Sequence, residues 1–363
     1  MERYDRTQLE IRCREIKPSD PVSMAAARRN WDGIAKPLYG LGCLEDMLVK
    51  IAGIQETEDI RLSKKAVVVF CSDNGIVEEG VTQTDSSVTA VVTENFARGT
   101  ASVNRIAAVA GADVIPVDVG VASDLKEPGI YNCKIGYGTG DFLKGPAMTE
   151  DQAVRAIHTG ITLAGELKRA GYDLLAVGEM GIGNTTTSSA VTSVLLGLPV
   201  EAVTGRGAGL SDAGLSRKIQ VIRQGIALHR PDPEQPVSLL AALGGYDMAA
   251  MAGFLLGGAI FRIPVVLDGM ISGVSALLAQ KMCGLATDYM LASHLGKEPV
   301  CQAALDRLGL IPVIHGRLAL GEGTGAAMLF PLLDMAEAVY RENNTFENNE
   351  IAAYRHWEEE PGR

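Results

Sequence analysis

Four short apolar runs mark the chain: Ala66–Phe70, Asp113–Val119, Asp173–Val177 and Ile263–Leu267. Each is rich in Val, Ile or Leu and bounded by Gly or Asp. Unbroken apolar runs of this length predict parallel strands buried on both faces; half-exposed antiparallel strands would alternate with polar residues. Between the runs lie segments with helix-boundary residues. Thr149 with Gln152 predicts a capping box, and Gly171 closes the helix that follows. Asn184 is placed to cap a helix running to about Leu196, ahead of Gly197. Ser211 or Asp212 opens another, which runs to about His229 before Pro231.

Strands alternating with such helices predict the α/β class, a Rossmann-like parallel sheet flanked by helices. Ligands of such sheets bind beyond the carboxyl ends of the strands. Here those ends carry Ser72–Gly75, Asp118–Gly120, Gly178–Glu179 and Asp268–Gly269. Residues 1–60 and 334–363 read as helical and strand-free. They are expected to form one smaller helical domain beside a large domain of residues 61–333. The tail from Asn343 onward is polar.

Composition narrows the function. Gly accounts for 41 of 363 residues, roughly 11% against a typical ~7%, and clusters after apolar runs, which suggests tight turns and close backbone–ligand approach. A net charge of −11 argues against a nucleic-acid partner, which would require a basic face. It does not exclude small anions, which a few N–H groups and one Lys can hold. Cys13, Cys43, Cys71, Cys133, Cys283 and Cys301 show no metal-type spacing and read as thiols in a reducing compartment. The charged N-terminus has no apolar signal core, and Met248–Ile260 is too short and glycine-broken to span a bilayer. A soluble cytoplasmic protein is expected.

Three glycine-rich turns are candidates for chemistry. Gly178-Glu179-Met180-Gly181-Ile182-Gly183-Asn184-Thr185 follows a predicted strand and opens a helix. It is either an anion-binding turn or an ordinary strand–helix connection; it does not meet the dinucleotide pattern GxGxxG. Thr204–Gly209 leads into a helix bearing Lys218, which either reaches a phosphate or is simply solvated. Gly321-Glu322-Gly323 holds a carboxylate between glycines at a helix start, where the helix end lowers its pKa and burial raises it. The five histidines form no metal-binding or Ser–His–Asp arrangement, and no acidic-pair loop for magnesium diphosphate is present. No metal and no cofactor are expected.

Taken together, these blocks resemble the nicotinate-nucleotide–dimethylbenzimidazole phosphoribosyltransferase family over nearly the whole chain. The resemblance rests on Lys36-Pro37 with Leu41–Glu45, Asp73–Val81, GEMGIGNTT at 178–186, TGRGAGLSDAGLSRK at 204–218 and LGGYDMAAMAG at 243–253. PVVLDGMISG at 264–273, Ser293-His294 and LGEGTGAAM at 320–328 follow in family order. It implies transfer of phosphoribose from nicotinate mononucleotide to a benzimidazole-type base by a metal-independent homodimer. Glu322 would be the general base. Glu179, Gly181, Gly183, Asn184, Thr185, Lys218, Ser293, Gly321 and Gly323 would contact the donor. Thr82, Gln83 and Met180 would line the base pocket. The chain departs from many relatives at Asn74, where they carry His, at Ala319, where they carry Arg, and at Val91, often Gln. The Arg would assist the phosphate, so its loss leaves the anion contacts open, with Arg317 a candidate substitute. Two other readings compete: a nucleotide-dependent oxidoreductase, and a pathway homologue that needs a partner subunit or takes another base.

Overall fold

The computed structural model describes residues 5–356. Residues 357–363 of the polar tail lie outside the described residues. Six parallel strands form one sheet: β1 Lys65–Ser72, β2 Ala112–Gly120, β3 Tyr131–Asn132, β4 Leu174–Met180, β5 Val265–Leu267 and β6 Met290–Ala292. Their order is β3-β2-β1-β4-β5-β6. The chain leaves β1 toward β2 on one side and returns to β4 on the other, which opens a crevice at the strands' carboxyl ends. All four expected runs contain a strand, although Asp173 precedes β4 and Ile263 and Pro264 precede β5. β4 continues three residues past its apolar stretch because Gly178, Glu179 and Met180 still pair with Val69, Phe70 and Cys71 of β1.

The continuous apolar runs are explained by cover on both faces. Ala66, Val68 and Phe70 pack into one core with the helices Glu150–Arg169 and Tyr246–Ile260. Val67, Val69 and Cys71 point into the other, built by the helices Pro21–Gly33, Cys43–Gln55 and Thr324–Glu342. The two chain ends meet there: Ile34 bridges to Thr345, and Trp31 stacks edge-on against Tyr340 at 5.1 Å. The helix Thr324–Glu342 runs unbroken through Asp334, so residues on both sides of that position belong to one helix of this layer.

The capping box at Thr149 forms as expected, and Gly171 follows that helix with φ +83°. Ser211 caps the helix Asp212–His229. At Asn184 the expectation fails: Gly183 takes the cap position with φ +92°, and Asn184 is the first helical residue. Its side chain is engaged elsewhere.

Candidate active site

A cavity of about 310 Å³ lies beyond the carboxyl ends of β4, β5 and β6. β4 brings in Glu179 and Met180, followed by Gly181. Asn184 and Thr185 enter from the next helix, Asp268 and Gly269 follow β5, and His294 follows β6. Leu318–Glu322 and Thr324 complete the lining. The other expected strand ends do not line it. Asp73 instead accepts a hydrogen bond from the Ala122 amide (2.8 Å), and Asp118 accepts from the amides of Gly120 (3.1 Å) and Val121 (2.9 Å). Both tie strand ends together.

Glu322 is the most constrained residue of the site. Its φ is +64°, between Gly321 at +82° and Gly323 at +87°. A left-handed non-glycine residue costs of order 1–3 kcal/mol and persists only where its surroundings enforce it. Here they do. The Asp268 carboxylate accepts from the amides of Gly323 (3.3 Å), Gly325 (2.8 Å) and Ala326 (3.1 Å), pinning the loop to the end of β5. The Glu322 carboxylate accepts from the Val103 amide (3.0 Å), in the first turn of the helix Ser102–Val109. Burial raises its pKa above the ordinary carboxylate range; the Val103 N–H opposes the rise, and the Asp268 charge adds to it.

Glu179 faces the same space from β4. The side-chain amide of Asn184 donates to both Glu179 and Asp247 (3.2 Å to the latter), which is why this asparagine is not free to cap its helix. Burial pushes Glu179 up to about 8; Asn184 opposes, while the charges of Asp247, Asp268 and Glu322 add to the rise. At neutral pH it is therefore a neutral acid that can donate a hydrogen bond. The unfolded chain releases this proton near 4.5 and the folded protein only near 8, so stability falls as pH rises through that window. Glu179→Gln should lose about 1–3 kcal/mol less than wild type when urea unfolding at pH 5 and pH 8.5 is compared, allowing for water in the cavity. Equal losses in the two proteins would show that Glu179 titrates like an ordinary surface acid.

The structure thus brings Glu322, Glu179, Met180, Gly181, Asn184, Thr185 and Gly321 onto one cavity. Others stand behind its wall. Lys218 is buried beneath the Gly205–Gly207 turn, donating to the Thr185 hydroxyl (2.8 Å) and the Gly205 carbonyl (3.3 Å); burial lowers its pKa to about 8, against the pull of Glu298. Ser293 is fully buried. It donates to the Leu267 carbonyl (2.6 Å) and lies 2.9 Å from Nδ1 of His294. Gly183 and Gly323 shape the backbone of the walls. Thr82 and Gln83 sit outside, where Thr82 donates to the Thr84 carbonyl (2.5 Å) and Gln83 to the Gly209 carbonyl. Val91 is exposed, whereas its neighbour Val92 lines the cavity. Sequence reasoning gave no role to His294, Lys297 or Glu298, and it read Asp268 as a strand-end acid only. The cue for Asp268 was its place at the strand end; its amide partners lie more than fifty residues onward and were not foreseeable.

A family model described as phosphoribosyltransferase matches residues 16–351. The nicotinate-nucleotide–dimethylbenzimidazole phosphoribosyltransferase of Clostridium acetobutylicum is 44% identical over 340 residues, covering 94% of this chain and 97% of that protein. The protein of the same name from Chloroflexus aggregans is 46% identical over 332 residues, covering 91% and 94%. Among solved structures, CobT from Thermus thermophilus matches with a TM-score of 0.86 and 41% identity, covering 92% of this chain and 99% of that one.

Proposed function

The chain belongs to the nicotinate-nucleotide–dimethylbenzimidazole phosphoribosyltransferase family, and from that premise we propose that it moves the 5-phosphoribosyl group of nicotinate mononucleotide onto dimethylbenzimidazole or a related base. The products are α-ribazole 5′-phosphate and nicotinate, for the nucleotide loop of cobalamin. The single observation that carries this reading is Glu322, a carboxylate held in a strained turn on the wall of the strand-end cavity.

The cationic pyridine of the donor already activates its glycosidic bond. The base attacks C1′ from the opposite face, with inversion and an oxocarbenium-like transition state. Glu322 takes the N–H proton of the base as the new C–N bond forms. Its raised pKa brings it nearer the working pH, where an ionised carboxylate accepts a proton best. Glu179, neutral and on the same cavity, donates a hydrogen bond to a donor hydroxyl. For the donor's phosphate, several helix starts reach the cavity. At the helix Asn184–Leu196 the amides of Asn184, Thr186 and Thr187 already bond to the Gly181 and Gly183 carbonyls. The first amides of the helix Thr324–Glu342 are taken by Asp268. The helix Met270–Met282 has no side-chain cap, and Gly269–Ser272 open on the cavity. Its N-terminus, with the Gly207–Ala208 turn beside it, is the proposed phosphate seat. Lys218 acts there indirectly, by fixing Thr185 and Gly205. Met180 and Val92 offer the apolar contacts for the base.

We also propose a cytoplasmic homodimer. Among the described residues no helix is long and apolar enough to cross a membrane. The pairing of the chain ends supports treating residues 1–60 and 334–363 as one helical unit against 61–333. The purified chain alone, given nicotinate mononucleotide and dimethylbenzimidazole, should form nicotinate and the α-nucleotide in equal amounts. Activity should persist after exhaustive EDTA treatment, because a departing pyridine neutralises its own charge and needs no Lewis acid. Loss with EDTA and recovery with magnesium would point to a diphosphate donor instead; release of nicotinate without the α-nucleotide would remove the proposed acceptor.

A further inference from the structure

The lining of the cavity poses a charge problem. Asp268, Glu298 and Glu322 line the space beside the neutral Glu179. A phosphate monoester entering it adds up to two negative charges. Of the cations that the sequence offers, each is occupied or set back. Arg206 donates to the Leu210 carbonyl (2.9 Å) and pairs with Asp212. Arg217 donates to the Glu79 carbonyl and pairs with its carboxylate at 3.6 Å. Lys218 is buried behind Thr185. Arg317 is outside the cavity lining, and position 319, on the lining, is Ala.

One cation remains. Among the described residues that line the cavity, Lys297 is the sole Lys or Arg. Its backbone amide donates to the Leu318 carbonyl at 3.0 Å, so it runs alongside the segment that carries Ala319. Its side chain is exposed, and no hydrogen bond or ion pair holds the ammonium group among the described residues. Its positive charge is felt by neighbouring Glu298. A flexible, uncommitted ammonium at the edge of an acidic cavity is suited to meet an incoming dianion as a point charge.

We infer that Lys297 is a donor-specificity residue that binds the 5′-phosphate of the mononucleotide, supplying from the neighbouring loop the cation that position 319 lacks. This rests on the donor proposed above. Lys297 does not take part in bond making; it selects a phosphorylated ribose and offsets the charge that the carboxylates around it repel.

The test compares Lys297→Ala, Lys297→Arg and the double variant Lys297→Ala/Ala319→Arg. Lys297→Ala should raise KM for nicotinate mononucleotide by about 5–30-fold, with kcat within about twofold and KM for dimethylbenzimidazole unchanged. Lys297→Arg should stay close to wild type, and adding Arg at 319 should restore most of the lost donor affinity. An unchanged donor KM in Lys297→Ala, or a loss confined to kcat or to the base, would overturn the inference. Ribose 5-phosphate titrated calorimetrically into wild type and Lys297→Ala separates this from the reaction itself. If wild type forms no α-nucleotide, the proposed function fails, while weaker ribose 5-phosphate binding by the variant still upholds the phosphate contact. Equal binding by both proteins sinks it.

Discussion

Glu322→Gln should lower turnover by about 10²–10⁴-fold while leaving the affinity for nicotinate mononucleotide close to wild type. The substitution keeps the size of the side chain, and its amide oxygen can still accept the Val103 N–H, so the strained turn keeps its partners. What is lost is the ability to accept a proton. The attacking base must shed its N–H proton as it becomes bonded to C1′, and the two acids nearest Glu322 do not suit the task. Glu179 holds its own proton to about pH 8, and Asp268 spends both oxygens on backbone amides. The pH profile gives an independent check. Wild-type kcat should fall on the acid side, with its midpoint above the ordinary carboxylate range because burial raises Glu322. That limb should be absent from the residual activity of the Gln variant. Near-wild-type turnover at neutral pH would remove Glu322 from the role of base.

Much of this site was legible in the sequence because several elements announce themselves locally. Four runs rich in Val, Ile or Leu marked the inner strands, and Gly321-Glu322-Gly323 placed a carboxylate at a helix start. What escaped notice was tertiary. β3 spans two residues with both side chains exposed, and β6 is three residues long, so neither leaves a periodic pattern. Asn184 looks like a cap and instead bridges two acids, one of them 63 residues away. Ser293 and Lys218 read as ligand contacts; their burial, with Lys218 bonded to Thr185 and Ser293 beside His294, had no signal in the sequence. Lys297 carries no motif at all; only the path of the chain past Leu318 sets it at the cavity. The family resemblance located the machinery, while its departure at Ala319 showed where to look for a cation.

Gly178→Ala should cost about 10²-fold or more in turnover with the overall fold retained, although it touches no substrate. A methyl group on Gly178 would press into the Glu322 carbonyl oxygen and stand 2.6 Å from both the Glu322 carbonyl carbon and the Gly323 nitrogen. These are backbone atoms and have no rotamer to give. The loop has little freedom to yield, because Asp268 grips the amides of Gly323, Gly325 and Ala326 and the helix beyond is packed in the core. Relief requires the Gly321–Gly323 turn to lift off the end of β4, which carries the Glu322 carboxylate away from the Val103 amide. A displacement of about 1 Å at a proton-transferring group is enough for a loss of this order. Overpacking should also lower stability by about 1–3 kcal/mol, so activity is compared at a temperature where thermal unfolding shows the variant fully folded. Gly145→Ala is the control: nothing lies within 4 Å of its added methyl, and its kinetics should match wild type. The larger effect in Gly178→Ala should be on kcat, since the contact lies at the Glu322 turn itself. Wild-type kcat in a fully folded Gly178→Ala protein would mean that the seating of this turn on β4 does not position the base.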